Sequence, residues 1–146
     1  MKLIDTSTIN QVLKNNISLR EDYFITPDIE QEMLVALTIL KKSIPSHIKN
    51  ITIDNRFDEA SYIKNYFEML NKYGGRSFFN MTGFGDISLI ALAKTILEAL
   101  EKINRQALPL PGFLEQVEIY VEDGGLRKRI KQEVGSQIKL YKASQI

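Results

Sequence analysis

Short apolar runs that alternate with helical periodicity constrain this chain more than any other feature. Lys2-Leu3-Ile4, Tyr23-Phe24-Ile25 and Val117-Glu118-Ile119-Tyr120-Val121 read as strands, and Gln137 to Tyr141 as a final one. Between them lie helical segments. Ser7 or Thr8 is expected to cap the first, whose apolar face carries Ile9, Val12 and Leu13. Thr26-Pro27 starts the second, since Thr satisfies free N–H groups and Pro is preorganised at the first helical position. Its periodic residues Ile29, Met33, Ala36, Leu37 and Leu40 carry it from Asp28 to about Lys42, before Pro45. Ser46 to Asn55 is ambiguous, with Ile51 to Ile53 a candidate small strand. Phe57 to Tyr73 has helical spacing, with Tyr62, Tyr66, Phe67 and Leu70 as a core stripe and Gly74-Gly75 as its stop. Arg76 to Asn80 reads as a connection or short strand, and Thr82-Gly83-Phe84-Gly85-Asp86 opens a helix through Ile103. Pro109, Pro111 and Gly112 mark a loop, and Leu126 to Glu133 a last helix. Strands alternating with helices imply right-handed crossovers. The expected fold is therefore α/β: a three-layer α/β/α sandwich around a mainly parallel sheet, in a single domain over residues 1–146.

Composition narrows the chemistry. The absence of cysteine excludes disulfides, thiolate metal sites and cysteine nucleophiles, and points to a cytoplasmic address. One histidine, His47, rules out His-rich metal sites and paired-histidine nuclease chemistry, and reads as a surface loop residue. The N-terminal apolar run is too short for a signal peptide, and the run Ile87 to Leu97 is broken by Lys94, so no membrane partner is expected. Any acid/base or metal chemistry must rest on carboxylates.

Those carboxylates fall at suggestive places. Asp5 lies just past the first strand, Asp123 just past Val117 to Val121, Asp86 at the mouth of a helix, and Glu32 one turn into the helix after the second strand. In open α/β sheets the functional crevice lies beyond the carboxyl ends of the strands, where these four acids can converge. Convergent carboxylates repel, and a hard divalent cation such as Mg²⁺ or Mn²⁺ relieves that repulsion. Each acid also has a plainer reading. Asp5 and Asp86 suit helix caps, Glu32 a solvent-facing helical position, and Asp123-Gly124-Gly125 a turn. Asp28 and Glu30 compete with Glu32, and Glu122 with Asp123.

Leu3-Ile4-Asp5-Thr6-Ser7, Ile25-Thr26-Pro27 through Glu32, Gly85-Asp86 with the Ala91/Ala93 helix, and Val121-Glu122-Asp123-Gly124-Gly125-Leu126 together resemble a PIN domain. The resemblance covers most of the chain. It implies a metal-dependent ribonuclease, with Asp5, Glu32, Asp86 and Asp123 holding Mg²⁺ or Mn²⁺ and products bearing 5′-phosphate and 3′-hydroxyl ends. Thr6 and Ser7 match small hydroxyl positions beside the first acid. The resemblance also implies RNA as substrate, a toxin role with an antitoxin partner, and a homodimer. Ser43 to Asn80 matches no motif of the family, and Ala107 to Phe113 reads as an insertion.

The basic run Arg127-Lys128-Arg129-Ile130-Lys131 adjoins the Asp123 loop, and Arg127, nearest in sequence, is the expected phosphate contact. The same cations also complement a helix dipole. Phe78 and Phe79 suit a core better than a base-stacking platform. Two further function classes fit the pattern: a catalytically inactive PIN-like module binding RNA or protein, and a phosphoacceptor domain. The latter is disfavoured because Asp5 stands alone after its strand and no central acceptor Asp is evident.

Overall fold

The computed structural model describes residues 1–51, 58–74, 83–105 and 117–146. Five strands form one all-parallel sheet: β1 (Lys2–Ile4), β2 (Tyr23–Ile25), β3 (Ile48–Asn50), β4 (Glu118–Tyr120) and β5 (Lys139–Tyr141), ordered β3-β2-β1-β4-β5. The helices are α1 (Thr6–Lys14), α2 (Pro27–Leu40), α3 (Glu59–Met69), α4 (Phe84–Arg105) and α5 (Gly124–Val134). A π-helical turn, Leu70–Gly74, prolongs α3, and a 3₁₀ turn, Ala143–Gln145, follows β5. The architecture is the α/β/α sandwich expected of alternating strands and helices.

The sheet order has one consequence for function. From β1 the chain steps to β2 and then β3 on one side, and later returns to place β4 and β5 on the other. The direction reverses between β1 and β4, which pair in parallel with Lys2 opposite Glu118 and Ile4 opposite Tyr120. Such a switch point opens a crevice beyond the strands' carboxyl ends, because the connections leave it in opposite directions. Asp5 and Asp123 follow these two strands.

Burial explains why the central strands are so apolar. Leu3, Ile4, Ile119 and Val121 are fully enclosed, as parallel strands covered on both faces must be. Helix α4 is the other centre of the core. Residues 87–93 are buried almost all round, and the helix packs against α2, α3 and α5. A helix apolar on every side is stable only inside a protein. Its few polar residues are paired: Thr95 donates to the Ala91 carbonyl and accepts from the amide of buried Asn65 at 3.0 Å.

Several boundaries differ from the sequence expectation for identifiable reasons. The cap of α1 is Asp5 itself, whose Oδ1 accepts from the Thr8 N–H at 2.7 Å, rather than Ser7 or Thr8. Helix α5 begins two residues early, at Gly124, because Asp123 caps it. Helix α2 stops at Leu40, where Lys41 takes a left-handed conformation and its N–H returns to Leu37 and Thr38. The third strand is Ile48–Asn50, paired with β2, within the ambiguous stretch Ser46 to Asn55; residues 52–53 of the candidate strand Ile51 to Ile53 lie outside the described residues. Arg76 to Asn80, including Phe78 and Phe79, and Ala107 to Phe113 also lie outside them. Among the described residues no helix is long and apolar enough to cross a membrane.

Candidate acidic site

The site is built from helix starts. Asp5 ends β1 and caps α1, where its buried carboxylate takes the Thr8 N–H on Oδ1 and the Ser7 hydroxyl on Oδ2 at 2.5 Å. The α1 dipole and these donors offset part of the cost of burying a charge. Burial still wins: the carboxyl is held above its usual range, and the charge of Asp123 adds to the effect. Asp123, exposed after β4, repeats the arrangement by accepting the Leu126 N–H at 2.6 Å. The plainer capping reading of Asp5 is therefore correct, while Asp123 caps a helix instead of making a simple turn, and the two caps lie past the switch point.

Glu32 reaches the start of a third helix. Its Oε2 accepts from the Thr6 hydroxyl at 2.7 Å and its Oε1 from the Gly85 N–H at 2.9 Å, so this single carboxylate links α1, α2 and α4. A Cβ at Gly85 would stand 2.6 Å from Oε2, so any larger residue would displace the Glu32 carboxylate from this position. A hydroxyl relay fixes the same junction. The Ile29 N–H donates to Thr26 Oγ1 and Ser88 Oγ donates to the Gly85 carbonyl, which leaves Thr26 as donor in their 2.5 Å contact. Each hydroxyl has one proton, so the direction is forced.

Asp86, in the first turn of α4, is placed differently. Among the described residues no hydrogen-bond donor serves its carboxylate. It is partly buried within the electrostatic reach of Asp5, Glu32 and Asp123, and desolvation together with these three charges pushes it up to about 7. Arg129 acts in the opposite direction. The four acids inferred from sequence thus share one electrostatic neighbourhood although they come from four separate elements. Asp28, one turn before Glu32, borders it. Burial holds its carboxyl up, as does the charge of Glu32, while the Tyr66 hydroxyl donates to it at 3.5 Å.

The donor set is entirely oxygen, which suits Mg²⁺ or Mn²⁺ and not softer metals. Among the described residues no three acidic or histidine side chains stand close enough to form a closed ligand set. An open arrangement is compatible with Mg²⁺ in particular, which commonly keeps several waters and takes one or two carboxylates.

Arg127 is turned away from this neighbourhood. Its guanidinium donates to the carbonyls of Val121 at 3.0 Å and Tyr141 at 2.9 Å, with a longer bond to Leu140, closing the carboxyl ends of β4 and β5. The cation whose charge acts on Asp86 is Arg129, a residue that proximity to Asp123 in sequence does not single out. Helical phase carries the missing signal. Leu126, Ile130 and Val134 form the buried stripe of α5, and positions 127 and 129 fall on opposite flanks of it. Thr6 and Ser7 spend their hydroxyls on Glu32 and Asp5. His47 sits on the surface beside Asp22 at 3.2 Å, far along the sheet edge at β3. No family model matches this chain, and neither the curated proteins nor the solved structures hold a significant match to it.

Proposed function

We propose that the chain is a Mg²⁺- or Mn²⁺-dependent endoribonuclease of the PIN type, which hydrolyses RNA phosphodiester bonds at the acidic site. The observation that carries this reading is the gathering of Asp5, Glu32, Asp86 and Asp123 beyond the β1/β4 switch point, with Asp86 driven up to about 7 by its neighbours. A protein has little reason to collect repelling carboxylates unless something positive joins them.

Asp86 and Asp123 would hold the ion most directly, with Asp5 and Glu32 behind them. Bound there, such an ion supplies Lewis acidity, which lowers the pKa of water and offsets charge on a scissile phosphate. The chain's own residues do the rest. Thr6 and the Gly85 N–H fix Glu32, Ser7 and the Thr8 N–H fix Asp5, and the capped helix starts hold the carboxylates in place before any ligand arrives. A toxin role restrained by an antitoxin belongs to the same proposal through the family resemblance, and a cytoplasmic location through the lack of cysteine. For a homodimer there is surface support: Leu34, Val35 and Ile39 of α2 and Ile63 and Phe67 of α3 are exposed, whereas Leu37 is core. A second reading, an inactive PIN-like module, is favoured by the openness of the acid set.

Cleavage of single-stranded and structured RNA by the wild type and by D5N, D86N and D123N, with Mn²⁺, Mg²⁺ or EDTA, tests the proposal. Metal-dependent cleavage lost in folded variants supports it. Cleavage indifferent to EDTA and to these substitutions contradicts it, and RNA binding without cleavage favours the inactive module.

A further inference from the structure

Arg129, whose charge acts on Asp86, is held by a small clamp that the acids alone do not explain. Arg129 Cζ lies 5.7 Å from the centroid of the Tyr73 ring, in the π-helical turn after α3. The Tyr73 hydroxyl donates to Glu133 Oε1 at 2.6 Å, and Lys72 pairs with the same oxygen. Glu133 is nearly enclosed, its side chain 7% exposed, so ring and carboxylate form a fixed surface. The turn is seated on the start of α4: a Cβ on Gly74 would lie 3.4 Å from Ile87 Cδ1, one residue beyond Asp86. π-Helical turns within helices occur frequently at functional sites, and here one aims an aromatic face at α5.

Arg129 is only partly exposed, yet among the described residues its guanidinium meets no hydrogen-bond acceptor and forms no ion pair within 4.0 Å. Arg127, on the same helix, uses its guanidinium on three carbonyls. A guanidinium that rests over a ring and spends no N–H on an acceptor has those N–H groups free, and their fork matches the two unesterified oxygens of a phosphodiester. We propose that Arg129, presented by the Tyr73–Glu133 clamp, is the residue that binds the substrate's phosphodiester anion at the acidic site. The inference rests on the nuclease reading for its substrate, single-stranded RNA. Its electrostatic logic is that carboxylates and cation flank the same anion, the acids through a divalent ion and Arg129 directly.

The test is the affinity of a fluorescent single-stranded RNA oligonucleotide, measured in Ca²⁺ across a salt series, for the wild type, R129A, R129K, Y73F, Y73L and K14A. Mn²⁺ affinity is titrated in parallel without RNA. R129A should bind RNA about tenfold or more weakly and lose about one from the salt slope, while holding Mn²⁺ at least as tightly as the wild type. R129K should recover part of the loss, Y73L should share its direction, and Y73F, which keeps the ring, should stay near the wild type. K14A, exposed in the last turn of α1, controls for general charge. RNA affinity and salt slope in R129A matching the wild type would overturn the proposal and leave Arg129 as a charge balance for Asp86. A wild type that binds RNA but no Mn²⁺ contradicts the metal reading, and the R129A comparison still decides this residue's role.

Discussion

The two walls of the acidic site are built on opposite principles. On the wall made by α1 and α2, every carboxylate oxygen of Asp5 and Glu32 has a donor: Thr8 and Ser7 for one, Thr6 and Gly85 for the other. On the wall made by α4 and α5, Asp123 has one backbone donor, and Asp86 has none among the described residues. Helix starts can hold carboxylates in place, but their partial charges satisfy only those that reach a free N–H. Asp86 lies within the first turn and accepts from none of its N–H groups, and burial together with the charges of Asp5, Glu32 and Asp123 pushes its carboxyl up to about 7. One wall is complete as folded; the other awaits positive charge.

The sharpest break of this contrast is D86N, which should cost about a hundredfold or more in metal-dependent cleavage with the fold intact, as read by single-turnover rates. Next comes G85A. Its Cβ would collide with the Glu32 carboxylate, so Glu32 must leave the α4 start, at a cost of about 1–3 kcal/mol in denaturant unfolding and about tenfold in cleavage. R127A should lose about 2 kcal/mol by leaving strand-end carbonyls unserved, while R129A should be near neutral in stability. Equal destabilisation by both would remove the distinction between these two arginines.

The pH dependence sharpens the comparison further. Asp86 is raised from 3.8 to about 7 in the folded chain. Between these values the folded state holds a proton that the unfolded state has lost, so stability falls as pH rises from about 4 to 7 and flattens above. D86N should remove this contribution and be more stable than the wild type by about 1–2 kcal/mol at pH 7.5, with little difference at pH 4. Saturating Mn²⁺ should produce a similar gain at pH 7.5 in the wild type and not in D86N. The smallest effect expected is that of S7A, about 1 kcal/mol or less, because the Thr8 N–H continues to serve Asp5.

Much of this was legible before any coordinates. Thr26-Pro27 named its helix start because capping and a fixed φ act locally, and the apolar runs of β1, β2 and β4 announced strands covered on both faces. The four acids stand after strands and at helix mouths in the sequence, and the sheet order places those positions in one electrostatic neighbourhood. What stayed hidden depends on contacts distant in sequence. Glu32 on Gly85 spans 53 positions, and no local rule requires glycine there. The exchange of Arg127 for Arg129 turns on helical phase: the two flank the buried stripe Leu126, Ile130 and Val134 on opposite sides, which nearness in sequence to Asp123 does not encode. The third strand, Ile48–Asn50, falls inside the stretch that the sequence leaves ambiguous, because Lys49 and Asn50 are exposed and only pairing with β2 defines it.

Calorimetric titration of Mn²⁺ into the wild type and D86N at pH 7.5 tests the central claim most directly. The account predicts saturable binding by the wild type and at least tenfold weaker binding by the variant. Equal affinity in both proteins, or no binding by a folded wild type, would contradict it.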